Sequence, residues 1–498
     1  MNDMFRGGIQ DDRFTLLYNI NTHVNVAVKT PVGKTGRGVI TNAIIQGDVF
    51  GPMLCGKQID EIGKECLEAE KYIYKYKGEV DIPPLIMLDD LVSISECGIK
   101  TTMANSYINF KTSSKKLQFG TQKCKKIHIG KTCDKYKCQP LFVENWEENE
   151  VEECDSKDIK IEDVFDGEEV MEEKKDERYL GDVISQDGRN LKNIKSRVNK
   201  GIGIVKNILT MLEGIPFGKF YFEAAIILRN SLLVSSVLFN SEAWYNVTNA
   251  ELDLLETVDV MLLRGILKAP KSTPKEMMFL ELGVFPFREI IRKRRLGFLF
   301  YILEQKHDSL IYKVLESQME NQTSKDWVTM VLSDFEKLEL DVRIEDIKKM
   351  KKSDYINMIK RKIEHKALKD LNQVKESHSK VRELSHPVLK MQKYLMPSNL
   401  NLSQEDCQLI FKLRSRVTET KVNMKGKYDS HECTACGVEN ESQEHVIKCN
   451  VLLQMNTDYD KEVTNYDEVL HGNVAQQSKI AKLFKSNMKI LKKLKKEK

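Results

Sequence analysis

The stretch PLIMLDDLVSIS, residues 84–95, places two adjacent carboxylates, Asp89 and Asp90, in the middle of an apolar, strand-like run. The apolar halves on either side predict a β-hairpin. Charges in such a run are costly to bury without a counter-ion, and Mg²⁺ prefers carboxylate oxygen while keeping positions open for substrate phosphates. The stretch therefore predicts either a metal-binding hairpin for phosphoryl transfer or a surface turn with the two aspartates at its tip.

The order of the motifs around this hairpin favours the metal-binding alternative. Upstream, Gln46 and Gly47 are followed by Pro52 and then by a helix-like segment. Downstream, Lys123 lies in LQFGTQKCKKIHIG, residues 117–130. This order resembles the palm of a reverse transcriptase, which implies RNA-templated DNA synthesis from deoxynucleoside triphosphates.

The resemblance also implies a role for each matching residue. Asp89 and Asp90 would hold the catalytic Mg²⁺ or Mn²⁺, Gln46 and Gly47 would contact the nucleotide, and Lys123 would act as general acid toward the leaving pyrophosphate. A phosphate-binding P-loop is excluded for the same region, because Gln58 occupies the position where a Mg²⁺-binding Ser or Thr is required.

The resemblance extends beyond the palm, over roughly residues 16–450. YLGDVISQDGRNLKNIKSRVNKG, residues 179–201, resembles the segment that follows the palm in non-LTR (LINE-type) retrotransposon reverse transcriptases. The stretches 235–267 and 281–299 resemble the helical thumb and linker of those enzymes. Apolar residues in the helices predicted from about 191 and within 235–267 recur at helical spacing, which predicts that they form the core: Ile194, Val198, Ile202, Val205, Leu252, Leu255, Val258, Leu262 and Ile266.

A second constellation lies in CTACGVENESQEHVIKC, residues 433–449, with the spacing C-x2-C-x8-H-x3-C. Four soft ligands at this spacing suit one tetrahedral Zn²⁺, and a closed site of this kind is structural because no coordination position remains for water. The alternative is four unrelated residues. The motif resembles the Cys-Cys-His-Cys knuckle that follows the reverse transcriptase in some non-LTR elements. The predicted ligands are Cys433, Cys436, His445 and Cys449. A looser group lacks a regular pattern, and we expect surface thiols there rather than a second metal site: Cys124, His128, Cys133 and Cys138.

Several features of the reverse-transcriptase pattern are missing. No apolar strand with a metal-binding aspartate precedes Gln46, so we expect the fingers and the first palm strand to be absent. Met87 and Leu88 replace the usual aromatic residue and alanine before the paired aspartates. No convincing endonuclease site follows the cysteine-histidine motif. Polymerase activity is therefore expected to be impaired, unless a partner chain completes the palm.

The predicted fold class is α+β: a partial reverse-transcriptase palm, then a long, mostly α-helical thumb and linker, then a small zinc-knuckle module. The segment 143–178 is too acidic and too irregular in its apolar pattern to pack, which predicts a flexible insertion. The predicted divisions are a partial palm at 1–142, the acidic insertion at 143–178, the end of the palm and the thumb at 179–300, a helical linker at 301–397, the zinc-knuckle module at 398–450 and a basic tail at 451–498.

Charge and composition indicate the class of partner. Charged residues make up 31% of the chain, and lysine and arginine cluster at 292–295, 348–352, 360–362 and in the tail. Such clusters either neutralise phosphates or form solvated helix faces. The expected partners are an RNA template, a DNA primer or target, and deoxynucleoside triphosphates, with no membrane. The absence of a secretory signal predicts an intracellular protein, nuclear or cytoplasmic and not secreted.

Three functions remain open on the sequence alone. The first is a reverse transcriptase domain-containing protein of a non-LTR retrotransposon, truncated and impaired. The second is a catalytically dead, nucleic-acid-binding remnant of such an enzyme. The third is a helical protein-interaction scaffold, which would not bind RNA in a salt-sensitive way.

Overall fold

The computed structural model describes most of the chain from residue 172 onward and shorter stretches before it. The described residues are 12, 15, 24–27, 29–31, 33–34, 36, 38–40, 56, 61–66, 73–87, 90–96, 98–114, 120, 123–129, 172–215, 220–379, 381–396, 402–424, 426–457 and 465–497. Gln46, Gly47 and Asp89 lie outside them, as do residues 143–171 of the predicted acidic insertion.

The strands of the described chain are short and pair two by two. They are β1 Val24–Val26, β2 Lys29–Thr30, β3 Gly33–Lys34, β4 Gly38–Ile40, β5 Tyr74–Tyr76, β6 Val80–Ile82, β7 Leu85–Met87, β8 Asp90–Val92, β9 Lys125–Lys126, β10 Glu172–Glu173, β11 Asp176–Tyr179 and β12 Asp182–Ser185. The pairs are β1 with β4, β2 with β3, β5 with β6, β7 with β8, β9 with β10 and β11 with β12. Only β9 with β10 is a parallel pair among those with a defined register.

Helices account for most of the remainder. They are α1 Gly98–Ser114, α2 Leu191–Glu213, α3 Tyr221–Leu228, α4 Ser235–Val237, α5 Asn249–Leu267, α6 Lys275–Leu282, α7 Phe287–Leu303, α8 Leu310–Glu320, α9 Trp327–Lys337, α10 Ile344–Ile347, α11 Lys352–Glu376, α12 Gln404–Arg414, α13 Gln443–Lys448, α14 Asn450–Met455, α15 Asp467–His471 and α16 Val474–Glu497. A π-helical turn, Arg229–Val234, joins α3 to α4, and a 3₁₀ turn, Lys393–Leu395, precedes α12.

The chain divides into two compact units. The first comprises Met1–Glu177, Ser185–Gly188 and His307–Glu320, and the second comprises Arg178–Ile184, Arg189–Lys306 and Asn321–Lys498. In the first unit, Ile62, Cys66 and Ile108 form a small core cluster that joins the helical segment 61–66 to α1. The hairpin β7–β8 pairs Met87 with Asp90, so the described part of PLIMLDDLVSIS has the hairpin structure that the sequence predicts.

The second unit has one continuous core that extends from Ile194 in α2 to Leu491 in α16. Helices α2 and α5 pack closely because Gly201 and Gly265 leave room for apolar side chains of the facing helix. A Cβ on Gly201 would lie 2.8 Å from Val258 Cγ1, and one on Gly265 would lie 2.6 Å from Leu209 Cδ2. The apolar stripes predicted from helical spacing all contribute to this core, with Ile202 and Leu252 only partly buried.

Within this unit, Asp182 in β12 fixes the strand on the helices behind it. Its carboxylate accepts hydrogen bonds from Arg197 at 2.7 Å, Asn193 at 2.8 Å, Asn240 at 2.9 Å and Trp244 at 3.3 Å. The aspartate that ends the motif YLGD therefore connects β12 to side chains of α2 and of the segment that follows α4.

A second buried carboxylate connects three more elements of the unit. Glu281, in α6, is fully buried and accepts hydrogen bonds from Arg414 of α12 at 3.0 Å, His386 at 2.8 Å and Tyr394 at 2.5 Å. Burial opposes ionisation of this carboxyl, but the Arg414 charge and the His386 hydrogen bond outweigh it and lower the pKa of Glu281 to about 2.

The fold class is thus confirmed in its coarse form. The described chain is mostly helical, with a few small hairpins and a C-terminal Cys₃His cluster. In the described part of residues 16–135, each strand of two or three residues pairs with only one neighbour. None of the described helices is both long enough and apolar enough to cross a membrane.

Candidate metal centre

The four residues of the cysteine-histidine motif come together at one point of the second unit. The Sγ atoms of Cys433, Cys436 and Cys449 and a ring nitrogen of His445 all lie within 4.8 Å of one another. Cys433, His445 and Cys449 are buried, and Cys436 is partly exposed. The cluster could therefore bind a metal ion such as Zn²⁺, and it is the only group of this kind among the residues that the structure describes.

The first two ligands lie on a tight turn that backbone hydrogen bonds shape. Cys433 N donates to Glu439 O at 2.7 Å, and Gly437 N donates to Cys433 O at 2.8 Å. Gly437 has φ +67°, which a glycine adopts without the strain that a side chain brings. Backbone amides of Ala435 and Cys436 donate to Cys433 Sγ, so the turn points N–H groups at the sulfur.

Of the other two ligands, His445 lies on the short helix α13 and Cys449 directly follows its last residue. Ser442 caps this helix by accepting a hydrogen bond from His445 N at 3.1 Å. Cys449 follows His445 by four residues, and its backbone N donates to His445 O at 2.7 Å. Residues four apart share one face of a helix, which explains why both ligands face the turn.

His445 is oriented for coordination through Nε2. This nitrogen lies 3.4 Å from Cys436 Sγ, while Nδ1 lies 3.1 Å from Glu439 Oε2. A hydrogen bond from Nδ1 to the Glu439 carboxylate leaves the Nε2 lone pair directed at the three sulfurs. Carboxylates hydrogen-bonded to the distal nitrogen in this way fix the ring and raise its basicity as a ligand.

The two cysteines of the turn, Cys433 and Cys436, differ in the pKa of their thiols. Burial raises the pKa of the Cys433 thiol to about 11. Burial also acts on Cys436, but amides of Glu439 and Val438 donate to its sulfur and lower the pKa to about 7. Metal ligation requires thiolates, so the amides that surround the turn supply part of the stabilisation that a bound cation would otherwise have to provide.

A buried carboxylate links the metal turn to the C-terminal helix. Glu441 is fully buried, and its Oε2 accepts a hydrogen bond from Thr434, inside the CxxC turn, at 3.3 Å. Its Oε1 pairs with Lys495 of α16 at 2.7 Å, and the Lys495 ammonium lies 5.0 Å from the centroid of the Tyr428 ring. The segment after the knuckle is therefore held against it rather than projecting as a separate arm.

Buried amides reinforce the same contact. Asn487 of α16 donates to Val446 O at 2.7 Å, within the helix that carries His445, and accepts from Asn456 at 2.8 Å. Sequence reasoning missed Glu439, Glu441, Asn487 and Lys495. The only signals for them are polar residues at apolar positions of α16 and carboxylates between the second and third ligands.

The residues predicted for polymerase chemistry are only partly described. Asp90 is exposed at the start of β8, so water can solvate its charge and no counter-ion is required. Lys123 is also exposed, and no hydrogen bond or ion pair joins it to Asp90 within the described residues. Gln46, Gly47 and Asp89 fall outside them. In the looser group, Cys124 and His128 are partly buried, and Cys133 and Cys138 are not described.

The basic cluster at 292–295 contributes to internal structure. Arg292 and Arg295 are buried and both pair with Asp334, at 3.0 and 2.6 Å. Arg294 donates to Leu238 O. Only Lys293 of the four is exposed. The cluster therefore lacks the free guanidinium groups that a phosphate-binding surface needs.

No protein-family model, no curated protein and no solved structure matches the chain. The geometry of the Cys₃His cluster and the surface charges are therefore the features that indicate a function.

Proposed function

We propose that this chain is a reverse-transcriptase-derived protein of the non-LTR type that binds nucleic acid, with a C-terminal module organised by a structural Zn²⁺. The observation that carries the proposal is the Cys₃His cluster, whose ligands converge within 4.8 Å beside a supporting Glu439. It follows a long helical region, which is the order that the reverse-transcriptase resemblance implies.

Zn²⁺ is the cation that fits the donor set best. Three thiolates and one imidazole select zinc over Mg²⁺ or Ca²⁺, which take oxygen ligands. All four ligands come from the protein, so the ion would be structural. Metal analysis of the purified chain tests this point: one zinc per chain is expected, with loss of zinc in Cys433→Ser and its retention in Cys124→Ser, a cysteine outside the cluster.

Polymerase activity is the second part of the proposal and is expected to be impaired. The resemblance assigns Mg²⁺ or Mn²⁺ to Asp89 and Asp90, the incoming deoxynucleoside triphosphate to Gln46 and Gly47, and the general acid role to Lys123. Losing one carboxylate of a two-metal site commonly removes several kcal/mol of transition-state stabilisation, which is roughly a factor of 10² to 10⁴ in rate. The alternative is a remnant that binds RNA or DNA without catalysis.

Primer extension distinguishes the enzyme from the remnant. The parent chain and an Asp89→Ala/Asp90→Ala variant would be compared on a poly(rA)/oligo(dT) template with Mg²⁺ or Mn²⁺. Extension by the parent alone would show a functional site, with the missing carboxylate supplied from elsewhere in the chain or by a partner chain. Salt-sensitive RNA binding by both proteins without extension would identify a binding remnant.

A helical protein-interaction scaffold is the remaining alternative. It shares the helical fold but requires no affinity for phosphates. If the zinc-loaded parent binds neither RNA nor DNA at low salt, the nucleic-acid proposal is wrong and the scaffold alternative is favoured.

A further inference from the structure

The C-terminal helix α16 has one buried and one charged face. Ile480, Phe484 and Leu491 are buried in the core of the second unit. On the opposite face, four exposed lysines, Lys482, Lys489, Lys493 and Lys496, form what we call the lysine stripe. They follow one another at steps of seven, four and three residues, which keeps them on one side of a helix.

The stripe is long enough to follow a nucleic-acid backbone. At 1.5 Å per residue, Lys482 and Lys496 are separated by about 21 Å along the helix axis. From Val474 onward the helix contains no acidic residue before its last position, Glu497. Positive charge therefore runs along the exposed face without interruption.

Carboxylates flank the stripe but do not neutralise it. Lys485 lies 3.5 Å from Glu405, and Lys492 lies 3.9 Å from Glu419, both at the edge of the exposed face. None of the four stripe lysines forms an ion pair with a residue in the described part of the chain. By contrast, the arginines at 292–295 are largely paired inside the protein, as described above.

The module holds the helix rigidly. Lys495 pairs with the buried Glu441 at 2.7 Å, and Asn487 donates to Val446 O at 2.7 Å beside the metal cluster. Lysines on a packed helix lose less backbone conformational entropy on binding than lysines in a flexible tail do. The metal-organised module thus presents the stripe in one orientation.

Basic amphipathic helices also bind anionic membranes, but they do so by inserting their apolar face into the lipid. That face of α16 is occupied by the protein core, with Ile480 and Leu491 both fully buried. The exposed charges therefore suit a polyanion in water better than a lipid surface.

We propose that the lysine stripe of α16 docks the phosphate backbone of a nucleic acid, an assignment that rests on the proposed nucleic-acid-binding function. Contacts with phosphates release condensed counterions, so each contact adds to the salt dependence of binding. The stripe contributes affinity without base specificity, because ammonium groups on one helix face reach phosphates rather than base edges.

The test uses the full-length, zinc-loaded chain and fluorescence anisotropy with a single-stranded RNA and a DNA duplex over a series of KCl concentrations. The stripe variant carries Lys→Gln at positions 482, 489, 493 and 496. A control variant with the same charge change carries Lys→Gln at positions 192, 195, 200 and 206 of α2, which are all exposed and lie outside the basic clusters. A third variant with Lys→Arg at the four stripe positions retains the charge.

We expect the stripe variant to lower the slope of log K against log salt by about 3 and the affinity at moderate salt on the order of 100-fold. The control and Lys→Arg variants should stay close to the parent. Circular dichroism and zinc content should be unchanged, since the substituted side chains are exposed.

Three results would overturn the assignment in different ways. If the stripe variant and the parent have the same affinity and the same slope of log K against log salt, the stripe is not the binding surface, while the proposed function still holds. A loss confined to the control variant would move the binding surface to α2. A parent that binds phosphatidylserine vesicles but neither nucleic acid would reject both the stripe assignment and the proposed function.

Discussion

Glu439 illustrates how an exposed side chain can control a buried cluster. Its carboxylate accepts from His445 Nδ1 at 3.1 Å and so directs Nε2 toward the cysteines. Loss of such a partner typically lowers metal affinity by about 10- to 100-fold. We expect Glu439→Gln to weaken zinc binding by that factor, measured by competition with a chromophoric chelator. Glu432→Gln, an exposed carboxylate in the same loop, is the control, and equal effects from both changes would show that the orientation of His445 does not depend on Glu439.

Glu281 determines the acid sensitivity of the second unit. Its pKa is lowered from 4.5 to about 2, so the ionised carboxylate contributes stability that is fully present above the unfolded pKa. As the pH falls from about 4.5 toward 2, that contribution of about 3 kcal/mol is lost. We expect urea unfolding of the parent to show a stability decrease over this range.

The Glu281→Gln variant tests the same residue at neutral pH. It leaves Arg414 buried without its counter-charge, which commonly costs about 3 to 5 kcal/mol. We expect the variant to be destabilised near pH 7 and to lose less stability than the parent between pH 4.5 and 2. Glu336→Gln, at an exposed position, controls for the change in net charge and should behave like the parent in both respects.

The ligand residues of the metal cluster could be predicted from the sequence, but their supporting residues could not. The C-x2-C-x8-H-x3-C spacing is a local pattern that can be recognised without knowledge of the fold. Glu439 and Glu441 depend on the conformation of the loop between Cys436 and His445, and Lys495 depends on the packing of a helix that is distant in sequence. Such contacts have no local signature.

Helix packing in the second unit depends on where glycine occurs along α2. A Cβ on Gly201 would approach Val258 and Val237 to 2.8 and 2.9 Å, whereas a Cβ on Gly203 would meet nothing within 4 Å. Alanine favours helix over glycine by about 1 kcal/mol, and overpacking of a core costs about 1 to 3 kcal/mol.

The two glycines therefore provide a matched pair. Gly203→Ala is expected to stabilise the chain by up to about 1 kcal/mol, and Gly201→Ala is expected to destabilise it or at best leave it unchanged. Chemical denaturation of both variants measures the difference. A stabilising Gly201→Ala would mean that α2 and α5 are separated more widely than the structure shows.

Helical elements could be predicted well because their apolar periodicity is strong. The residues expected on one face of α2 and α5, such as Ile194 and Leu262, are indeed buried. For the lysine-rich segment 479–498, the sequence alone allows a basic amphipathic helix or a disordered arm, and the structure shows the helix α16 up to Glu497. The lysine content of α16 is visible in the sequence, but the partners of Asn487 and Lys495 cannot be identified until the helix is placed on the module.

The two units of the molecule differ in the size of their cores. Among the described residues of the first unit, Ile62, Cys66 and Ile108 form a small core cluster, whereas the large core cluster of the second unit runs through most of its helices. Since hydrophobic burial dominates stability, we expect thermal unfolding in more than one step, with the first unit melting at the lower temperature.

Metal removal should affect only one of these steps. The candidate site lies in the second unit, so binding of zinc to the folded state stabilises that unit by mass action. A chelator should lower the midpoint temperature of the upper transition and leave that of the lower one unchanged. Differential scanning calorimetry with and without the chelator measures both. A shift of the lower transition alone would place the metal outside the Cys₃His cluster, and Cys433→Ser provides the matched control.

At the scale of the whole molecule, the sequence predicts the succession of segments better than their association. The helical content of the region from 191 to 395 and the cysteine cluster follow from local patterns. The core cluster that includes both α2 and α16 does not, because contacts within the second unit join residues up to 142 positions apart. The buried Glu281 network is of this kind, since its partners lie more than a hundred residues away in the chain.

The order of synthesis gives the contact between α16 and the metal cluster a further consequence. Residues 433–449 leave the ribosome before residues 474–497, so the four ligands reach solvent before the helix that packs over them can fold against them. During that interval a bound ion would be the main restraint on the nascent loop, because Asn487 and Lys495 are not yet present. Zinc supply during translation, rather than after purification, is then expected to set the yield of correctly folded protein.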